Sequence, residues 1–243
     1  MKKNTYIGCS SFSNSYWKKI FYPENMPSSK WFEYYCTHFN TYEMNGTFYK
    51  FPTLKTMDNW YKKAPEHFLF SVKAPRDITH YKKFVDCEEQ INDFYAICDN
   101  GLKDKLGPIL FQLPPSYQYS EEKLLSIIKQ LDQNFDNIIE FRHPSWWIPE
   151  VWTTLDKNNI TFCSVSHPQL PETIFTEFPV TYIRLHGRPT LFYSDYAIDE
   201  LNKINDIISQ NTAKPSFIYF NNTASTAGIL NAIEMKKLSQ QND

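Results

Sequence analysis

Asn137–Trp147 reads NIIEFRHPSWW, an apolar pair followed at once by charge. Ile138 and Ile139 have the β-branched character of a buried strand, yet Glu140, Arg142 and His143 follow before Pro144 interrupts the chain. Strand side chains alternate between faces, which puts Glu140 and Arg142 on one side and Phe141 on the other. Opposite charges on one face at the end of a buried strand are costly unless they are paired or open on a cavity. This is the pattern of a barrel strand whose C-terminal end lines a pocket.

The same layout recurs on either side. Upstream, strands are expected at Tyr6–Cys9, Thr41–Tyr49, Phe68–Ala74 and Pro108–Leu113; downstream, at Thr161–Val165, Val180–Leu185 and Phe217–Phe220. Thr41–Tyr49 read as one strand would put Glu43, Asn45 and Thr47 on one face. Helical spacing of apolar residues marks Ser28–Asn40, Leu54–Lys63, Glu88–Asp99, Glu150–Lys157, Tyr196–Ser209 and Ile229–Leu238. A further helix follows Ser120, a cap with Glu121 and Glu122 in the first turn. Only the sixth and seventh strands have no helix between them. Eight strands in alternation with helices imply a parallel sheet, and in this length they fit one (β/α)8 TIM-type barrel over residues 1–243, an α/β fold irregular between strands six and seven. The competing open doubly wound sheet finds no G-x-G-x-x-G or P-loop at its first turn.

With 25 Lys and Arg against 27 Asp and Glu, the net charge is −2, which argues against a general binder of nucleic acid or anionic membranes. Aromatic residues make up 17% of the chain, enough rings both to fill a core and to offer stacking faces. The five cysteines are odd in number and form no C-x-x-C pair, so neither a disulfide framework nor a zinc ribbon is expected. MKKNTYIGCS reaches Gly8 and Ser10 without an apolar stretch of signal-peptide length, and no run is long enough for a membrane span. A cytoplasmic protein with reduced thiols and no membrane partner is the expectation.

In such a barrel the chemistry sits at the C-terminal ends of the strands. Those ends supply Ser10, Glu43, Asn45, Lys73, Gln112, Glu140, Arg142, His143, His167, Arg184, His186, Asn221 and Asn222. Lys73, Arg142 and Arg184 are cations suited to a phosphate or carboxylate; equally, they can pair with Glu43 and Glu140 as structural latches. Asn221–Gly228, reading NNTASTAG before the last helix, suits an anion at a helix N-terminus, with a plain cap by Ser225 or Thr226 as the alternative. Glu43 and Glu140 can move protons, and His143 and His186 can relay them or bind a ligand. No H-E-x-x-H, H-x-H or D-x-H occurs, so no metal ligand or cofactor is assigned. Trp17, Tyr49, Trp146 and Trp147 are candidate stacking rings or packing; His38, His67 and His80 receive no role.

IGCSS, HFNTYEMNGTFYKFP, FSVKAPRDITH, LGPILFQLPPS, IEFRHPSWW, YIRLHGR and YFNNT resemble, in order and spacing, the YecE-like family, domain of unknown function seventy-two. The resemblance covers essentially the whole chain from Tyr6 and implies a TIM-type barrel, distantly similar to those of the endonuclease IV and xylose isomerase type. It implies motif positions and no reaction. Two departures stand out: Gly8–Cys9–Ser10–Ser11–Phe12 where the family usually resembles G-T-S-G-W, and Ser166 where it often shows Asp. The second weakens any metal role at that strand end.

The resulting expectation is an enzyme or binding protein for a small anionic ligand at the strand ends. Glu43, Glu140 and His186 are the catalytic candidates; Asn45, Lys73, Gln112, Arg142, Arg184 and Asn221 are the ligand-binding ones. The alternatives are a nucleic-acid binder or endonuclease IV-like hydrolase, possible with a metal, and a non-catalytic sensor. Substrate and oligomeric state are not legible.

Overall fold

The computed structural model describes residues 4–211 and 213–241; Lys2 and Lys3 of the MKKNTYIGCS stretch lie outside them. In chain order the first half comprises β1 Thr5–Cys9, α1 Trp31–His38, β2 Thr41–Met44, α2 Gly46–Tyr49, α3 Leu54–Lys63, β3 Leu69–Lys73, α4 Glu88–Leu102 and β4 Leu106–Gln112. The second half comprises α5 Glu121–Gln130, β5 Asn137–Glu140, α6 Pro149–Lys157, β6 Ile160–Phe162, β7 Ser164–Ser166, β8 Thr181–Leu185, α7 Ile198–Gln210, β9 Ser216–Phe220 and α8 Ala227–Gln241. A π-helical turn, Asp77–Tyr81, follows β3.

The chain divides into two units: Met1–Glu43 with Ser164–Thr176 and Val180–Asp243, and Met44–Cys163 with Glu177–Pro179. Among the described residues the strands form two sheets, of order β1-β9-β8-β7 and β2-β3-β4-β5-β6. The pairings β1–β9, β3–β4, β4–β5, β5–β6, β7–β8 and β8–β9 are parallel, as the strand–helix alternation requires. Their apolar side chains are buried without interruption, from Ile109, Leu110 and Phe111 to Phe217, Ile218, Tyr219 and Phe220. This is the mark of parallel strands covered on both faces.

Two strands differ from expectation. Thr41–Tyr49 is a strand only as far as Met44, because Asn45 takes a helical backbone conformation and heads α2. The Thr47 hydroxyl lies on the carbonyls of Met44 and Lys73, at 3.1 and 2.6 Å, so Glu43 and Thr47 do not share a strand face. Thr161–Val165 is two strands: Cys163 N–H donates to Ile139 O, and Ser164 then pairs with Ile183 of β8. No helix intervenes before β8, as read. Ser120 caps α5, its Oγ accepting from Lys123 N–H. Among the described residues no helix is long and apolar enough to cross a membrane, and all five cysteines are free thiols.

In the second unit, α4 runs beyond Asp99 because Gly101 lets it lie against α3. A Cβ at Gly101 would stand 2.2 Å from Met57 Cβ. Gly101→Ala is therefore expected to lower stability by about 1–3 kcal/mol through overpacking, outweighing the ~1 kcal/mol that alanine contributes as a helix former. Denaturant unfolding of the variant checks this.

Candidate functional site

In the second unit, register brings the polar strand ends together. Gln112 is the lateral partner of Glu140, and Lys73 of Leu110. Paired residues share a face and alternate residues repeat it, so Lys73, Gln112 and Glu140 project to the same side. Lys73 Nζ donates to Gln112 Oε1 at 2.8 Å and lies 4.1 Å from the centre of the Phe48 ring. Arg142 Nε donates to Glu140 Oε1. Lys73, Gln112 and Glu140 are all buried.

The π-helical turn brings a histidine to this cluster. Thr79 Oγ1 donates to Pro75 O and so accepts from His80 Nδ1 at 2.9 Å. That leaves His80 Nε2 as the acceptor facing Gln112 Nε2 at 3.5 Å, which agrees with Gln112 turning its Oε1 to Lys73. His80 is pushed down from its ordinary 6.5 to about 4: burial acts most, the charges of Lys73 and Arg142 add to it, and Glu140 opposes them. At neutral pH the imidazole carries no charge. Asn45 is half-buried at the head of α2.

The first unit holds two further clusters. Arg184 Nε and Nη2 donate to Glu43 Oε2 and Oε1 at 2.9 and 2.7 Å, and the Tyr182 hydroxyl donates to Oε2 at 2.8 Å. The Glu43 and Arg184 side chains are 0% and 2% exposed, a bidentate pair out of solvent. Separately, Ser10 Oγ donates to Phe220 O, and Asn221 Nδ2 donates to Ser10 Oγ. Asn221 Oδ1 then accepts from His186 Nδ1 at 2.8 Å. Because the chain of donors ends on a carbonyl, which can only accept, the neutral His186 ring keeps its lone pair on Nε2.

Other candidates take structural positions. His143 Nδ1 accepts from Ser145 N–H as a cap, and Asn222 Nδ2 donates to Ser194 O. Ser225 Oγ accepts from Ala227 N–H, just ahead of α8. Trp17 and Trp146 are fully buried, Trp146 stacked 3.9 Å from Phe141; Tyr49 is 69% exposed. Among the described residues no group of three or more His, Cys, Asp or Glu is placed to hold a metal ion. Reading strand ends missed His80, Phe48 and Tyr182. His80 closes the motif FSVKAPRDITH, but nothing in its spacing shows that the turn folds back onto β4.

Residues 6–243 match a family model described as Protein of unknown function DUF72. The chain belongs to this family. That bears out the resemblance carried by EFRHPSW and RLHGR. The crystal structure of a DUF72 family protein of Thermotoga maritima MSB8 is similar with a TM-score of 0.88 at 26% identity, covering 98% of this chain and 99% of that one. A DUF72 family protein of Enterococcus faecalis V583 shares the fold at 22% identity with a TM-score of 0.79, over 98% of both chains. UPF0759 protein YunF of Bacillus subtilis (strain 168) is 28% identical over 188 residues, or 69% of this chain. The match spans 65% of the length of that curated relative.

Two predictions follow from this geometry. Arg184→Ala leaves Glu43 buried without its guanidinium and is expected to cost about 3–5 kcal/mol of stability, measurable by denaturant unfolding. His80 resists protonation in the native state, so the unfolded chain takes up its proton first as pH falls. Its contribution to stability is complete above about 6.5 and is lost toward about 4. The stability difference between wild type and His80→Gln should shrink across that window, and an imidazole titration by NMR near 6.5 would refute it.

Proposed function

We propose that this chain binds a small phosphate- or carboxylate-bearing ligand at Lys73, Gln112, His80 and Arg142, with Glu140 as the group that exchanges a proton with it. The observation that supports this reading is the gathering of Lys73, Gln112, Arg142 and Glu140 around His80. Lys73 and Arg142 lie close enough to His80 that their charges add to burial in driving off its proton, with Glu140 opposing them. The donors of Lys73 and Arg142 at this site are of the kind that recognise phosphate or carboxylate oxygens. Its position supports it too, since ligands of parallel α/β sheets bind beyond the carboxyl ends of the strands.

Within this proposal Arg184 and Glu43 act as the frame of the first unit rather than as anion site and acid. His186, its Nε2 lone pair set by Asn221 and Ser10, remains the second candidate base. We extend the proposal to closure of the strands as a (β/α)8 barrel, a reading supported by the parallel pairings and the strand–helix alternation.

Isothermal titration with inorganic phosphate and sugar phosphates tests the ligand reading. Lys73→Met keeps the volume of the side chain and removes its charge. It should weaken binding by roughly tenfold or more, the weight of one charge-assisted hydrogen bond. Unchanged affinity in both Lys73→Met and Arg142→Met would overturn the reading. Salt-sensitive binding of duplex oligonucleotides alone would favour the nuclease-like alternative.

A further inference from the structure

We infer that Tyr49, Arg76 and Tyr81 form a base-stacking rim on the anion site proposed above, so that its ligand is a nucleoside phosphate, free or at the end of a single strand. The inference rests on that site and names its ligand class. Tyr49 is the last residue of α2 and Tyr81 the last of the π-helical turn, the segments that follow the neighbouring strands β2 and β3. Both rings stand in solvent, 69% and 65% exposed, so core packing does not account for them. Both share one cation: the Arg76 guanidinium lies 5.9 Å from the Tyr49 ring centre and 5.3 Å from that of Tyr81, within cation–π reach.

This rim is physically continuous with the cationic floor. The Tyr49 ring meets Phe48 at 5.1 Å, and Phe48 meets His80 at 4.9 Å and Lys73 Nζ at 4.1 Å. A ligand with its phosphate at Lys73 and Arg142 therefore has aromatic surface leading outward to two exposed faces. Charge along the rim agrees: Lys50, Arg76, Lys82 and Lys83 outnumber Asp77 and Asp86. Aromatic faces that accept any base, interleaved with cations for the backbone, are the recurring elements of single-strand and nucleotide recognition. A planar, weakly hydrated guanidinium between the rings adds both stacking and donors for phosphate.

Titrations of the full chain with AMP, ribose 5-phosphate and a 5′-phosphorylated oligothymidylate test the inference. AMP or the oligonucleotide should bind more tightly than ribose 5-phosphate. Tyr49→Ala and Tyr81→Ala should each weaken the base-bearing ligands about fivefold or more while leaving ribose 5-phosphate unchanged. The two Phe variants should retain wild-type affinity, because stacking needs the ring and not the hydroxyl. A preference for the oligonucleotide that falls steeply with salt identifies a strand; a preference for AMP identifies a free nucleotide. Equal affinity for AMP and ribose 5-phosphate, indifferent to both tyrosines, overturns the stacking rim and leaves the anion site standing. If none of the three probes nor inorganic phosphate binds, the anion site falls and the rim falls with it.

Discussion

A carboxylate that ends a buried strand must find its counter-charge within a hydrogen bond's length, and the polar architecture of this protein follows from that requirement. Glu43 and Glu140 have no exposed surface, and leaving either ion unpaired in such surroundings costs several kcal/mol. Each is answered by an arginine, but in different ways. Glu43 receives Nε and Nη2 of Arg184 together with the Tyr182 hydroxyl, so both of its oxygens are bonded. Glu140 receives Arg142 from two residues along its own chain, and beside it lie Lys73, Gln112 and His80. The first arrangement closes a carboxylate on its own arginine, and the second sets an ion pair beside a lysine, an amide and an imidazole.

Directionality carries this distinction down to single protons. The Lys73–Gln112–His80–Thr79 series and the His186–Asn221–Ser10 series each end on a backbone carbonyl, Pro75 O and Phe220 O. A carbonyl only accepts, so every donor and acceptor upstream is set in turn. Two histidines thereby present Nε2 as a lone pair, one toward the amide of Gln112 and one at the end of the Asn221 chain.

Much of this was legible in the order of residues. Polar groups ending apolar runs placed Lys73, Gln112, Glu140 and Arg142 among thirteen strand-end candidates, because a charge or amide there breaks an otherwise apolar pattern. The family motifs pointed to the same positions. What escaped was the use of each cation: Lys73, Arg142 and Arg184 look alike as residues ending strands, and only the observed bonds separate Arg184, clasped to Glu43, from the other two. Tyr49 was legible as an aromatic near a strand end, whereas its exposure and its sharing of Arg76 with Tyr81 were not.

The sequence by itself determined the alternation of apolar strands with amphipathic helices, the parallel order, the caps such as Ser120, and membership of a family. These are local or periodic properties, expressed through backbone geometry and the burial of neighbouring side chains. Tertiary structure alone decided where β2 stops, because Thr47 bonds to a carbonyl on β3. It alone broke the sixth strand at Cys163, whose amide pairs with Ile139 while Ser164 pairs with Ile183. It alone brought His80 beside Gln112. Each of these depends on a hydrogen bond between residues far apart in the chain, and no residue carries in its own identity the partner that folding will place beside it.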